Sequence, residues 1–315
     1  MVVDNSWVIV LLCSYLCNNV EYKPFETREW SDFAIRLMEC GIKPVDLLSF
    51  SARDFGGLLG LESGMIERVQ KLLERGSCLK NEIGKYEEMG IHIMTRADSI
   101  YPVALKSKLG QGCPPLFYYS GDPILFTNKY VGFVGSRSID ISAERFTVGL
   151  VDKINKRGYG VVSGGAKGVD SISVVRSLQN DNSCIEYLSD SLKRNVSNPV
   201  IGEYIRNNKL LLLSISHPEA GFDTGMAMSR NRFIYSQSLA TVIVKSDLKK
   251  GGTWSGATDN LKKGYCVSFC WGNGGYPGNM ELINRGAIPI DEDWDGEMGG
   301  YLGREGLEFQ QMSLF

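Results

Sequence analysis

Apolar residues recur every three or four positions through the first 90 residues of the chain. Four segments show this spacing clearly, namely WVIVLLCSYL, TREWSDFAIRLMECG, SARDFGGLLGL and SGMIERVQKLLERG. The period is that of an amphipathic helix, and Thr27, Ser51 and Ser63 stand where helix N-caps are expected. The pattern therefore predicts a small helical domain over residues 1–90.

The pattern changes after residue 90. Residues 91–129 combine short apolar runs with Tyr101-Pro102 and Pro114-Pro115, which indicates an extended leading segment. From Tyr130 onward helical patterns alternate with the apolar runs YVGFVGS, YGVVSGG, CIEYLS, LLLLSIS, ATVIVKS and YCVSFC. Strands that are apolar throughout are typical of a parallel sheet covered on both faces. We therefore predict an α/β fold over residues 91–290, an extended Rossmann-like, doubly wound, mostly parallel sheet.

Composition and charge narrow the classes of function. The chain has 315 residues, with 34 basic against 36 acidic side chains and 43% hydrophobic residues. This balance excludes a disordered chain and a uniformly basic nucleic-acid coat, although it allows a local basic pocket. Seven acidic residues and one arginine fall within residues 291–315, so we predict an acidic, Gly-rich tail there.

The cysteines and the first apolar run indicate the cellular compartment of the protein. The eight cysteines include no CxxC pair, and the two histidines, His92 and His217, lie far from the cysteines that are four residues apart. We therefore expect reduced core thiols and no metal site. The apolar run at residues 7–17 is too short to span a bilayer and lacks the basic flank of a signal peptide, so a cytoplasmic protein without membrane contact is expected.

Three loops that follow strands of the predicted sheet carry residues suited to phosphate. They are GSRS at residues 135–138, SGGAKGVD at residues 163–170 and KKGGT at residues 249–253, and SRNR at residues 229–232 adds to them. Glycine amides, hydroxyls, Arg and Lys converging at one sheet edge favour an anion. None of the loops is a GxGxxG or P-loop fingerprint, so we expect no NAD, no ATP and no other cofactor.

The candidate phosphate- or DNA-binding residues come from these four segments. They are Gly135, Ser136, Arg137, Ser163, Gly164, Gly165, Lys167, Gly168, Arg230, Asn231, Arg232, Gly251, Gly252 and Thr253.

Seven motifs occur in an order that matches a known family. They are Tyr101-Pro102, PPLFYYSGD, VGSR, SGGAKGVD, MSRNRFIY, GGTWSGA and LINRGA, spread over residues 91–290. In this span the chain resembles the DprA/Smf family of DNA-processing proteins. The helices before it are similar to the SAM-like or helix-hairpin-helix module that many members carry, and a plain packing cap is the alternative.

The resemblance implies a binding protein without catalytic turnover. It implies single-stranded DNA in a basic pocket at the sheet edge, a homodimer, and a RecA-type recombinase that is loaded onto the strand. By motif, the charges that face phosphates would come from Arg137, Lys167, Arg230 and Arg232. The amides and hydroxyls would come from Ser136, Ser163, Gly164 and Gly165.

Aromatic side chains next to these motifs are candidates for stacking on bases. Phe233, Tyr235 and Trp254 adjoin the pocket motifs in sequence. Aromatic residues at such positions are more often part of the core than a base platform, so stacking is less evident than phosphate binding.

Departures from the family pattern leave alternatives open. The histidine that typical members carry after the second glycine loop is absent, and Lys245 stands where many members have glutamate. The ligand could therefore be a free or modified nucleotide, and the protein could be an accessory, sensor or antitoxin component of a phage-defence system.

An enzyme is a further alternative. Gly251-Gly252-Thr253 resembles the core of the PGGxGT loop, which occurs in proteins that cleave the N-glycosidic bond of nucleoside monophosphates. Such chemistry needs a poised carboxylate, and Asp170 or Asp259 would have to supply it. The resemblance to a DNA-binding family favours a protein that is not an enzyme.

The chain ends in QMSLF, which resembles the QLxLF peptide by which bacterial replication and repair proteins dock on the sliding clamp. In an extended peptide, Leu314 and Phe315 would enter an apolar cleft while Gln311 fixes the register. The alternative is that these apolar residues fold back on the domain. The candidate clamp-binding residues are Gln311, Met312, Leu314 and Phe315.

Overall fold

The computed structural model describes residues 4–17, 21–273 and 275–302. The chain divides into two compact units, one of Met1–Ser120 with Ser214–Pro218 and the other of Gly121–Leu213 with Glu219–Phe315. The domain boundaries expected after residues 90 and 290 stay predictions.

The first unit is mainly helical. Its elements are α1 (Asn5–Cys13), α2 (Thr27–Glu39), the 3-10 helix η1 (Pro44–Ser49), α3 (Ala52–Leu59), α4 (Ser63–Leu73), α5 (Gly76–Glu87), β1 (His92–Thr95), α6 (Val103–Leu109), η2 (Gly110–Gly112) and β2 (Leu116–Ser120). The residues of α1 from Trp7 to Cys13 are all buried, so this helix forms the centre of the unit. β1 and β2 pair as an antiparallel hairpin with His92 opposite Tyr119. In the described parts of the chain, no helix has the length and apolar character needed to cross a membrane.

Two cysteines of this unit differ from the expectation of reduced thiols. Cys17 and Cys78 form a disulfide, with Cα atoms 6.3 Å apart. Their separation of 61 residues gives no local spacing signal, because the pairing depends on how the chain after α1 packs beside α5. The described cysteines that are free are Cys13, Cys40, Cys113, Cys184, Cys266 and Cys270.

The second unit is built on a parallel sheet. Its elements are η3 (Pro123–Thr127), β3 (Tyr130–Val134), α7 (Ile141–Lys156), β4 (Gly160–Ser163), α8 (Val169–Gln179), β5 (Cys184–Tyr187), α9 (Leu192–Val196), α10 (Pro199–Arg206), β6 (Leu210–Ser214), α11 (Thr224–Gln237), β7 (Ala240–Ile243), α12 (Gly251–Lys263), β8 (Val267–Trp271), α13 (Pro277–Asn284) and β9 (Ile288–Ile290). The strand order is β6-β5-β4-β3-β7-β8-β9, and neighbouring strands run parallel. Every residue of β3 to β7 is buried, as continuous apolar runs require. The doubly wound, mostly parallel α/β fold is confirmed.

The strand order reverses at the middle of this sheet. Val131 of β3 pairs with Val161 of β4 on one side and with Ala240 of β7 on the other. The chain runs outward from β3 to β6 and then returns to add β7, β8 and β9 on the opposite side. In a doubly wound sheet, such a reversal opens a crevice at the carboxyl ends of the two central strands.

The described part of the acidic tail packs against α7. Arg157, at the end of that helix, binds Asp295 through Nη2 at 2.5 Å and Glu297 through Nη1 at 2.6 Å. Lys153 donates from Nζ to the carbonyl of Trp294 at 3.0 Å. The described part of the acidic, Gly-rich tail is therefore held against the second unit by ion pairs and hydrogen bonds.

Candidate functional site

A cavity of about 410 Å³ opens at the carboxyl ends of β3 and β7. Its volume lies within the range of about 300–1,000 Å³ that small-ligand pockets occupy. The candidate residues that line the cavity are Gly135, Ser136, Arg137, Arg230, Asn231, Gly251, Gly252 and Thr253. The candidates that lie outside this lining are Ser163, Gly164, Gly165, Lys167, Gly168 and Arg232. The structure thus brings the first loop, α11 and the third loop together around one space.

The first two glycine loops are pressed against each other. A Cβ on Gly135 would lie 2.3 Å from Cγ2 of Val169, and a Cβ on Gly168 would lie 2.3 Å from the carbonyl oxygen of Ser136. Gly168 also has φ +81°, a conformation that L side chains rarely adopt. Packing of the two loops therefore requires glycine at both positions. The sequence analysis had assigned these glycines to ligand binding instead.

The serines of these two loops form hydrogen bonds within the fold. The amide of Ser136 donates to the carbonyl of Lys245 at 2.9 Å, and its Oγ accepts from the amide of Ser138 at 3.1 Å. Ser163 is fully buried and donates its hydroxyl to the carbonyl of Phe133 at 2.8 Å. These bonds differ from the expectation that the amide of Ser136 and the hydroxyl of Ser163 face a ligand, because both donors already have backbone acceptors.

Arg230 is the buried cation of the cavity. Its side chain is 4% exposed, and a Cβ on Gly164 would lie 1.1 Å from Nη1, so the guanidinium occupies the space that the missing side chain leaves. Asp170 Oδ2 lies 3.9 Å from Nη1, while Nε and Nη1 have no hydrogen-bond partner. Buried donors without acceptors are costly, so these two nitrogens are unusual in a folded protein.

Two buried carboxyl groups lie beside this arginine. Burial raises the pKa of Asp170, although Arg230 and the amides of Ala166 and Gly164 oppose the shift. Burial and the neighbouring Asp170 raise the pKa of Glu186 on β5 to about 7. The sequence analysis did not single out Glu186, but a lone acid within the apolar run CIEYL was the available signal.

The third loop forms the first turn of α12 rather than a free loop. Gly251 has φ +83°, and the N-cap residue Lys250 makes no side-chain hydrogen bond to the amides of that turn. Asn231 of α11 donates from Nδ2 to the carbonyl of Gly252 at 3.1 Å and so fixes the turn against the neighbouring helix. The positive end of the α12 dipole and the Lys250 side chain therefore border the same cavity as Arg230.

The remaining basic candidates lie elsewhere. Lys167 is exposed in the second loop, and Arg232 packs over the ring of Phe233 with its Cζ 5.1 Å from the ring centroid. The positive charges that line the cavity come from Arg137, Arg230 and Lys250, and Asp170 and Asp247 bring two carboxyl groups to the same lining.

The aromatic candidates for base stacking are part of the core. Phe233 and Tyr235 are each 1% exposed and Trp254 is 9% exposed. Phe222, which the sequence analysis did not single out, instead lines the cavity with half of its side chain exposed. It precedes α11 in an irregular segment, so no periodicity marked it.

Lys245 belongs to a polar cluster behind the first loop. Asp140, the N-cap of α7, accepts from the amide of Ala143 at 3.0 Å, from Nζ of Lys245 at 3.1 Å and from the hydroxyl of Tyr276 at 2.8 Å. Together with the bond from the Ser136 amide to the Lys245 carbonyl, these contacts hold the loop that carries Arg137. They account for a lysine at the position where the related family has glutamate.

Two further expectations concern a metal site and the clamp-binding residues. In those parts of the chain, no group of three or more His, Cys, Asp or Glu side chains is placed to hold a metal ion. Gln311, Met312, Leu314 and Phe315, the candidate clamp-binding residues, lie outside the described residues.

Comparisons with known proteins match this architecture. The model of the family described as DNA recombination-mediator protein A matches residues 92–295. The chain is 25% identical over 256 residues to the DNA processing protein DprA of Bacillus subtilis (strain 168), covering 76% of this chain and 84% of that protein.

Two solved structures are similar to the fold. The X-ray structure of DprA from Streptococcus pneumoniae has a TM-score of 0.71 at 18% identity, covering 96% of this chain and 99% of that one. The DNA processing protein A of Helicobacter pylori, whose structure was determined for its mode of single-stranded DNA binding, has a TM-score of 0.53 at 25% identity. The match covers 63% of this chain and 90% of the Helicobacter pylori chain.

Proposed function

Because the chain belongs to the DNA recombination-mediator protein A family, we propose that it binds single-stranded DNA in the cavity between β3 and β7. The structural relative from Helicobacter pylori binds single-stranded DNA and shares the fold. A strand offers the phosphates that a basic cavity of this kind selects.

The observation that carries the proposal is the buried guanidinium of Arg230. Arg230 lines the cavity, and its Nε and Nη1 lack hydrogen-bond partners. The first turn of α12, Arg137 and Lys250 add further positive potential around the same space. A phosphate placed there would supply acceptors to Arg230 and gain charge-assisted hydrogen bonds.

The enzyme interpretation is not proposed. Members of this family are recombination mediators and not enzymes. Asp259 is exposed on α12 and does not line the cavity, while Asp170 is engaged with Arg230. A strand is therefore a better ligand than a nucleotide whose glycosidic bond is cleaved.

The test is fluorescence anisotropy with a labelled single strand, its duplex and a free nucleotide as competitor, across a salt series. We expect tight strand binding, weak duplex binding and little competition. Arg137→Ala should weaken binding about tenfold and flatten the salt slope by about 0.7, the amount that one phosphate contact on a single strand contributes.

The matched control removes one positive charge elsewhere. Arg206 is exposed on α10 and outside the cavity, so Arg206→Ala should leave affinity and salt slope nearly unchanged. Equal losses in the two variants would show that the strand responds to net charge and not to the cavity. Absence of strand binding by the unmodified protein would refute the proposal.

Recombinase loading extends the proposal. We infer from the family that the strand is delivered to a RecA-type recombinase by a homodimer in the cytoplasm. Strand-dependent ATP hydrolysis by a RecA-type protein, measured on strand already covered by a single-strand binding protein, should begin sooner when this protein is present. Arg137→Ala should remove that effect.

A further inference from the structure

Phe222 places an aromatic ring at the mouth of the cavity. Its side chain is 49% exposed, although a large apolar residue gains by burial. It shares the cavity lining with Met228, which is 50% exposed. The mouth is thus apolar and open, while the inner wall carries Arg230 and the first turn of α12.

Arg137 lies over one face of this ring. The distance from Cζ of Arg137 to the centroid of the Phe222 ring is 4.6 Å, which is within the range of a cation–π contact. Arg137 comes from the loop after β3, whereas Phe222 comes from the segment that leads into α11. The contact joins the loop after β3 to the segment before α11 and fixes the orientation of the ring within the cavity lining.

A planar ring beside phosphate-binding groups matches the two parts of a nucleotide. A base has an aromatic face and its phosphate an anionic group, and exposed aromatic rings are the platforms on which single-strand binding proteins stack bases. We propose that Phe222, oriented by Arg137, forms a nucleobase-stacking subsite at the mouth of the cavity. This inference rests on the proposed binding of a strand and assigns it a second contact.

The subsite has a distinct consequence for specificity. Every base offers an aromatic face, so stacking on Phe222 is tolerant of sequence. The bases of a duplex are already stacked on one another and cannot cover the ring without being unstacked. Phe222 would therefore favour a single strand over a duplex, which phosphate contacts alone do not do.

The test compares strands that differ only in the presence of bases. Anisotropy is measured with an oligothymidylate strand and with a strand of equal length whose central sugars are abasic. The unmodified protein should bind the abasic strand about tenfold more weakly or worse, because stacking on one ring contributes about 1–3 kcal/mol per base. Phe222→Ala should bind both strands equally, and Phe222→Tyr should retain the preference.

The salt slope and a control variant separate stacking from charge. Phe222→Ala should leave the salt slope unchanged, since no phosphate contact is lost. Val200 is a 63% exposed apolar residue on α10 outside the cavity lining, and Val200→Ala should behave as the unmodified protein.

The outcomes distinguish this inference from the proposed function. If the unmodified protein and Phe222→Ala show the same difference between the two strands, the bases are read elsewhere and the subsite is refuted while strand binding stands. If the unmodified protein binds neither strand, strand binding itself fails and the subsite fails with it.

Discussion

Asp170 and Arg230 line the cavity, and the buried carboxyl group of Glu186 lies close enough to both to affect their charges. Glu186 is 8% exposed and Asp170 7% exposed. Two carboxylates and one arginine would leave a net negative charge if both acids were ionised, and burial disfavours that state. The pKa of Glu186 is raised to about 7, so this carboxyl group changes charge near neutral pH.

We expect the burial of Glu186 to make the free energy of unfolding fall as the pH rises. The pKa of Glu186 is higher in the folded chain than its ordinary value of 4.5, so the folded state favours the neutral form. Its stabilising effect is complete below pH 4.5 and is lost as the pH rises through about 7. The loss is on the order of 3 kcal/mol in the free energy of unfolding.

Urea unfolding at several pH values between 5 and 8 measures this effect. Glu186→Gln, which stays neutral, should flatten the decline over that range. Glu203→Gln changes an exposed acid on α10 and should leave the decline in place. Parallel curves for the unmodified protein and Glu186→Gln would show that Glu186 does not titrate in this range.

At the scale of elements, the residue that caps α7, Asp140, also binds one residue after β7 and one before α13. Asp140 binds the first turn of the helix, Lys245 after β7 and Tyr276 before α13. The amide of Ala143 and the hydroxyl of Tyr276 lower the pKa of Asp140 to about 2. The carboxylate therefore stays charged, and its stabilising effect is lost only as the pH falls from 3.8 toward 2.

We expect Asp140→Ala to lower the free energy of unfolding by about 1–2 kcal/mol, the usual cost of removing an N-cap. Asp140→Asn keeps a capping oxygen and loses the charge, so it should cost less. Chemical denaturation at neutral pH measures both variants. Asp259→Ala, which removes an exposed carboxylate from α12, should change stability by less than about 0.5 kcal/mol. A loss equal to that control would contradict a capping role.

Element type was predictable from the sequence, but element ends were less so. Continuous apolar runs identified β3 to β8 and the helical patterns between them, because burial of both sheet faces leaves strands apolar throughout, whereas the three-residue strand β9 was missed. The N-cap Ser51 was expected correctly, whereas Thr27 and Ser63 lie one residue inside their helices, after Glu26 and Glu62. The run Gly251-Gly252-Thr253 indicated a loop by propensity, yet α12 begins there.

The side chains of the site were only partly predictable. Motifs located the loops that converge on the cavity, since parallel strands bring their carboxyl ends together. Whether a given serine faces the ligand depends on contacts between distant residues, such as Ser163 with Phe133 or Arg230 with Gly164. No sequence pattern encodes those distances, so the burial of Arg230 and the exposure of Phe222 became visible only in the fold.

At the scale of the whole molecule, charge is unevenly distributed along the chain. The net charge is −2, although the tail after residue 290 is strongly acidic. Arg157 and Lys153 hold its first part against α7. The acids nearest the fold therefore have partners in cations of the same unit, which limits their repulsion of a nucleic-acid ligand.

We expect the last five residues to bind the sliding clamp, as their resemblance to a clamp-binding peptide implies. Deleting residues 311–315 should abolish binding to a bacterial clamp in calorimetry, because the apolar side chains that enter its cleft are removed. Single-strand binding should be unchanged and serves as the internal control. Clamp binding that persists after the deletion would end this interpretation.

The reversal of strand order also dictates when the cavity can exist during synthesis of the protein. β3, β4, β5 and β6 form one half of the sheet, and the strands of the other half join them through the ladder between β3 and β7. Pairing Val131 with Ala240 joins residues that are far apart in the sequence, so this ladder is a non-local contact of the fold. A nascent chain that has not yet emerged through α12 lacks the part of the cavity lining that Lys250, Gly251, Gly252 and Thr253 form. Ligand binding is therefore a property of the finished chain, and a bound ligand would favour the joining of the two halves.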